Sequence, residues 1–321
     1  MRQFCDKKRS SIWFLVLLIL APCFLFGCVS SADKNESSKL KVVATLFPQY
    51  DFAKQILKDK ADVRLLLPPG TESHTYDPSP SDIRDICLSD LFLYTGKHME
   101  PWSEKIISGA KSTKVKIADL SQGVTLKKDE NHGHDHAKGT SHHHHRCDPH
   151  IWLDPTLAIV MVENILKNAC EKSPENESFF KENADLLKKE LKELDSDFER
   201  LISSSKRKQV VFVSRFAHVY FMERYNLGYK TLFSGCFAEA EPSAKALLEI
   251  TQNIRELGVP AVYFEESSEP AIAKSIAEDT KVKALRFSTC HNLTKDELES
   301  GETYLSMMRK NLGNLKVGLD F

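Results

Sequence analysis

The sequence predicts an α/β protein built as two lobes of βα units, each with a parallel four-stranded sheet, bridged by one long α-helix. Three observations carry this expectation. Short β-branched runs alternate with helical stretches from Leu40 to Ile117, the same rhythm restarts at Gln209, and an unbroken amphipathic stretch separates the two. The length of 321 residues suits such a division, being too long for one small core. A composition of 41% hydrophobic and 28% charged residues, with 13 Gly and 13 Pro, excludes collagen, wholesale disorder and a multi-span membrane protein. A formal charge of −1 leaves no basic field to hold a nucleic-acid backbone, so no nucleic-acid partner is expected.

In chain order, the first lobe reads as strands at Lys41 to Leu46, Asp62 to Leu67, Leu91 to Tyr94 and Lys114 to Ile117. Helices are expected near Asp51 to Lys58, Ser81 to Leu88 and Trp102 to Ala110, and another begins near Pro155. Ser173 and Pro174 then supply a cap and a first-turn proline. Phe180, Ala184, Leu187, Leu191, Leu194, Phe198 and Leu201 recur at spacings of four and three, the pattern of one helix of roughly 30 residues. A coiled coil is the competing reading, but the flanking α/β lobes favour a helix that crosses both and limits their hinging. Second-lobe strands are expected at Gln209 to Val213, Gly228 to Leu232, Ala261 to Phe264 and Val282 to Phe287. A cleft between the two sheets is the natural ligand position.

The amino terminus reads as an address. Arg2, Lys7, Lys8 and Arg9 precede an apolar run, Ile12 to Phe26, of about 15 residues, short of the roughly 20 that span a bilayer. The run ends in Leu25-Phe26-Gly27-Cys28, which resembles the lipobox of bacterial lipoproteins, so residues 1–27 are read as a signal peptide and Cys28 as the lipidated residue. Residues 28–39 are too polar to bury and form a tether. The remaining boundaries are 40–172 for the first lobe, 173–205 for the bridging helix and 206–321 for the second lobe. Outside the signal and Cys28, Cys87, Cys147, Cys170, Cys236 and Cys290 remain, and five thiols allow at most two disulfides. None sits in a Cys-x-x-Cys pair, which argues against a thiolate zinc knuckle.

Histidine carries the chemical signal. Of 12 histidines, eight fall between His132 and His150. His132, His134, His136, His142, His143, His144 and His145 lie in a segment, 131–146, with no apolar residue able to seed packing, and read as an accessory metal-capturing loop. The alternatives are an internal tag or a solvated loop without a role. Two isolated histidines stand out beyond it. His74 lies in Pro68-Pro69-Gly70-Thr71-Glu72-Ser73-His74-Thr75-Tyr76-Asp77-Pro78-Ser79-Pro80, directly after a strand, and His150 in Asp148-Pro149-His150-Ile151-Trp152-Leu153-Asp154-Pro155. A single histidine is more often structural, but two at such points beside a His-rich loop favour metal ligation.

Together with the lipobox and the long helix, these two motifs and the stretch Tyr220 to Leu227 resemble the zinc- and manganese-binding lipoproteins of ABC importers, over nearly all of Lys41 to Phe321. The resemblance implies a solute-binding protein, not an enzyme, that holds a metal between its lobes and delivers it to an ABC permease driven by its ATPase. It implies a monomer held by a lipid anchor in a bacterial envelope, at the cell surface or in a periplasm. His74 and His150 match the family's first two ligands. The later ligand positions depart from the pattern, because Arg215 and Ser288 fall on them. A guanidinium cannot coordinate a cation. His291, following the last second-lobe strand, is the preferred third ligand; His218, placed within a helix, and Glu239 are further candidates, with Glu241 behind them. Glu265 and Glu266 are candidates to pair with Arg215. Cys236 and Cys290, both after second-lobe strands, are a candidate disulfide, with a Cys290 thiolate ligand as the rival.

With imidazoles replacing carboxylates, Zn²⁺ is favoured over Mn²⁺, which prefers oxygen. Metal buffering, an adhesin-type surface role and a zinc hydrolase are the alternative functions. The hydrolase lacks any His-Glu-x-x-His or comparable helix motif.

Overall fold

A computed structural model describes residues 39–110, 113–128, 147–233, 235, 242–265 and 270–320. The first lobe contains β1 (Leu40–Ala44), β2 (Ala61–Leu65), β3 (Leu91–Tyr94) and β4 (Lys116–Asp119), with helices α1 (Phe47–Leu57), α2 (Pro80–Leu88) and α3 (Ser103–Ala110) between them. All pairings are parallel, in the order β2-β1-β3-β4, with Val42 opposite Val63 on one side and Leu91 on the other. The strand Leu-Phe-Leu-Tyr of β3 is buried throughout, as an inner parallel strand covered on both faces must be. Local chemistry sets the helix starts. Ser79 caps α2 by accepting from the Asp82 backbone N–H, while the Asp82 carboxylate accepts from the Ser79 N–H at 3.0 Å.

Helix α4 (Pro155–Lys172) opens on the Asp154 cap, whose carboxylate accepts from the Thr156 N–H at 2.8 Å, with proline in its first turn. A 3₁₀ turn at Pro174–Asn176 leads into α5 (Glu177–Ser204), the long bridging helix of 28 residues. Its buried stripe is Phe180, Asn183, Ala184, Leu187, Leu191, Leu194, Phe198, Leu201 and Ile202, the apolar face legible in the sequence plus Ile202 and one amide. Asn183 enters that stripe without penalty because its side-chain NH₂ donates to the Ile56 carbonyl at 3.0 Å.

The second lobe repeats the first. Its strands β5 (Gln209–Phe212), β6 (Gly228–Thr231), β7 (Ala261–Phe264) and β8 (Lys283–Arg286) form a parallel sheet in the order β6-β5-β7-β8. Around it lie α6 (Val219–Arg224), α7 (Ala244–Leu257), α8 (Pro270–Thr280), α9 (Lys295–Glu299) and α10 (Tyr304–Gly318). The expected fold class is therefore the observed one. Among the described residues no helix is long and apolar enough to cross a membrane.

The largest core runs continuously from β1 and α1 through α4 and α5 to Phe212, Phe287 and α10, while smaller clusters cover the outer face of each sheet. Because one core is shared, separating the lobes would expose apolar surface at about 25 cal/mol per Å², which disfavours a free hinge. Polar ties between lobes reinforce this: Trp152 Nε1 donates to the Thr289 carbonyl at 2.8 Å, the Phe47 N–H to the His291 carbonyl at 3.1 Å, and the Tyr220 hydroxyl to the Asp148 carbonyl at 2.8 Å.

Candidate metal centre

Two loops that follow strands and the segment that leads into α4 meet between the sheets. The first follows β2, where Pro68, Pro69 and Gly70, the last at φ +77°, turn the chain away from the sheet and carry it to His74. Asn292 of the second lobe holds this loop by donating to the carbonyls of Pro68 at 2.7 Å and Thr71 at 3.0 Å. The second is the Asp148-Pro149-His150 segment, which ends in a 3₁₀ turn over Ile151–Leu153. The third follows β8, where Cys290 adopts φ +56° and so turns His291 inward.

The imidazoles of His74, His150 and His291 converge there, each offering a ring nitrogen within 4.8 Å of the others. His150 is fully buried and His291 is 4% exposed. Their orientations are set by hydrogen bonds on the far side of the rings. Asp148 Oδ1 accepts from both the His150 backbone N–H at 2.9 Å and ring Nδ1 at 2.8 Å. A carboxylate only accepts, so Nδ1 carries the proton and Nε2 keeps its lone pair. Thr289 Oγ1 sits 2.5 Å from His291 Nδ1, which directs His291 Nε2 the other way. That Nε2 is buried and has no hydrogen-bond partner among the described residues.

His150 Nε2 and His74 Nε2 stand 3.4 Å apart, close to the separation of about 3.3 Å between two nitrogens bound tetrahedrally at about 2.0–2.1 Å from one zinc ion. That pair has the spacing of a shared ion, His291 offers its ring nitrogen within 4.8 Å of both, and three imidazoles suit in chemistry a borderline cation with nitrogen preference. Trp152 closes one side, its ring 5.3 Å from both His150 and His291. Burial pushes the His291 imidazole well below its ordinary pKa, and the neighbouring His150, His74, His218 and Arg215 push it the same way. His291 is thus neutral, the form that can coordinate.

His218 does not join the group. It is the residue just before α6, with no side-chain capping bond, instead of lying within a helix, and its ring stacks on Phe212 at 5.0 Å and 24° and meets Phe287 at 5.0 Å. Burial lowers its pKa to about 3, leaving a neutral core histidine. Arg215 pairs with Glu72 at 3.0 Å and stands 3.6 Å from Glu265. Cys290 is buried but is not a member of the converging set. Cys28, Cys236, Glu239, Glu241, Glu266 and the histidines from His132 to His145 lie outside the described residues. Sequence reasoning passed over Asp148, Thr289 and Glu72. Each stands two residues before the histidine it contacts, and that spacing was the one local signal for all three.

With this geometry in place, comparison with known proteins is decisive. A family model described as zinc-uptake complex component A, periplasmic, matches residues 42–318. The chain belongs to this family. Within the component A family it is similar to the zinc-binding lipoprotein AdcA of Streptococcus pneumoniae (strain ATCC BAA-255 / R6), at 34% identity over 305 residues, 95% of this chain and 60% of that protein. It thus spans about 60% of the length of that relative. The high-affinity zinc uptake system protein ZnuA of Bacillus subtilis (strain 168) is 32% identical over 310 residues, covering 94% of this chain and 97% of its own. Among solved structures, the Zn(II)-bound ZnuA-like domain of Streptococcus pneumoniae AdcA superposes with a TM-score of 0.75 at 31% identity, over 88% of this chain and 100% of that one.

Proposed function

We propose that this component A chain is the extracytoplasmic zinc-binding part of an ABC importer, capturing Zn²⁺ between its lobes through His74, His150 and His291 and passing it to a membrane permease served by an ATPase. The observation that carries the reading is the convergence of three imidazoles, each with a ring nitrogen within 4.8 Å of the others, two of them oriented by hydrogen bonds at Nδ1. Membership of the family and the zinc-related names of the relatives support the choice of ion. A lipid on Cys28 and the polar residues 29–39 would tether the body to the envelope, consistent with a cargo carrier that works beside its permease.

Zinc here is cargo, and the protein performs no bond chemistry on it. His150 and His291 supply oriented donors from rigid backbone. His74 is the least buried of the three, and its loop is the side on which an ion can enter and leave. Protons compete with the ion for these imidazoles, so capture weakens as pH falls. The His-rich segment 131–146 would serve as an outer collector. Metal content of the chain from Ser30 tests this. One tightly held zinc that survives deletion of residues 132–145 and is lost in His150→Ala supports the reading. Zinc that disappears with the deleted loop and is indifferent to His150 overturns it in favour of buffering.

A further inference from the structure

A cation sits beside the three imidazoles and reaches both lobes. Arg215 follows β5; its Nη2 donates to Glu72 Oε2 at 3.0 Å, and its Nε stands 3.6 Å from Oε1 of Glu265, the residue after β7. Glu72 belongs to the first-lobe loop that carries His74, and its other oxygen accepts the His74 backbone N–H at 3.2 Å. One line of contacts therefore runs from two second-lobe strand ends, through a guanidinium and a carboxylate, to the backbone of a metal-ligand candidate. The Glu265 side chain is 5% exposed, while Arg215 and Glu72 are 24% and 25% exposed, so the pair is partly shielded from solvent. The Glu265 backbone N–H also meets Ser214 Oγ at 3.2 Å, which sets Glu265 against the chain bearing Arg215.

The guanidinium has no lone pair for a metal, and its planar fork suits it to tie carboxylates from two elements together. Neutral bonds from Asn292 and Leu293 already hold the loop near Pro68, Gly70 and Thr71. Arg215 adds a charge-assisted tie two residues from His74. Metal–ligand bonds tolerate displacements of about 0.2 Å, so freedom at this point acts directly on His74.

We propose that Arg215 is a positioning residue of the metal centre, which clamps the His74 loop onto the second lobe through Glu72 and thereby sets how slowly bound zinc escapes. This rests on the reading of His74, His150 and His291 as zinc ligands. Loss of the clamp leaves all three donors in the chain, so stoichiometry is kept. The ligand on the least buried loop is then freer to leave, and the effect falls on release more than on capture.

The test is zinc release from the full chain into excess chelator, for wild type, Arg215→Gln, Arg215→Lys, Glu72→Gln and the double variant Arg215→Gln/Glu72→Gln. Backbone hydrogen exchange across residues 70–76 of the metal-free proteins is measured alongside. Each glutamine variant is expected to release zinc about tenfold faster with one ion still bound. The double variant should be no faster than either single one, because both cut the same link. Arg215→Lys, which keeps the charge and loses the fork, should fall between wild type and Arg215→Gln. Exchange at His74 should rise in both glutamine variants. Unchanged release, or effects that multiply in the double variant, overturns the clamp. Should His150→Ala retain its zinc, the ligand assignment fails on its own, and the clamp is then judged by exchange in the metal-free protein: unchanged protection at His74 in Arg215→Gln overturns it.

Discussion

The first lobe lays its strands in the order β2-β1-β3-β4 and the second in the equivalent order β6-β5-β7-β8, yet the two furnish their strand ends with different chemistry. The first contributes two imidazoles, His74 and His150, and the second contributes His291 together with the Arg215 guanidinium. The second lobe also holds His218, as buried as His291 and likewise shifted below the ordinary imidazole pKa. One ring is packed among Phe212, Phe216 and Phe287, with Nε2 3.4 Å from the Ser288 carbonyl. The other presents a buried, unbonded Nε2 to two further imidazoles. Burial and a lowered pKa therefore do not separate ligand from core; convergence of lone pairs does.

The sharpest way to break this contrast is to remove one imidazole from each environment. His150→Ala should weaken zinc binding by about 100-fold or more, since even the partners that orient ligands are each worth about 10–100-fold. Titration against a chelating dye measures it, and an equal loss in His218→Phe would erase the distinction. Asp148→Asn should cost about 10–100-fold in the same assay, because the amide no longer fixes which nitrogen of His150 carries the proton. Retained affinity there would mean that the 2.8 Å contact does not orient the ring.

Acid and alkali probe the lobes in opposite senses. His218 has a folded pKa of about 3, below that of the unfolded chain, so the unfolded state binds the extra proton and acid costs stability. Relative to wild type, metal-free His218→Phe should gain about 2 kcal/mol between pH 6.5 and pH 5. Glu100 in the first lobe has the reverse shift. Burial raises its carboxyl to about 8, against hydrogen bonds from Thr45, Gln49 and Thr95 that pull it down. The folded state therefore holds the extra proton, and stability is lost as pH rises toward 8. Glu100→Gln should gain on wild type as pH rises from 6 to 7.5, again by about 2 kcal/mol. The two shifts oppose each other in the wild type, so urea unfolding must be read as variant minus wild type at each pH. A difference that is flat with pH in either variant removes that group from the account. The smallest expected effect is on zinc binding by His218→Phe, which should change by about twofold or less, roughly 0.4 kcal/mol.

Much of the fold was legible in local pattern. The apolar runs Leu91–Tyr94 and Ala261–Phe264 are strands over those same residues, and the periodic stripe from Phe180 to Leu201 is the buried face of α5. Boundaries moved where termini have their own chemistry. The first helix starts at Phe47 instead of near Asp51 because Pro48 suits a first turn and Gln49 Oε1 accepts from the Leu46 N–H at 3.0 Å. His218 was misplaced within a helix because α6 is a single short element of six residues, too brief for periodicity to locate its start.

For the site, motif context pointed to His74 and His150, and position after a strand pointed to His291. The residues that aim them were not legible. Thr289 and Glu72 act across two residues in the chain, yet the reason they matter is a partner far away in sequence: the imidazoles of the other lobe for one, Arg215 for the other.

By itself, then, the sequence determined the βα alternation, the bridging helix and the residue types able to hold a borderline cation, because hydrophobic period and side-chain chemistry are local properties. Only the tertiary structure decided that His291 and not His218 faces His74 and His150, and that Arg215 joins the lobes. Those outcomes depend on which groups the packing of two sheets on one shared core brings within a few ångströms, and no local pattern encodes that distance.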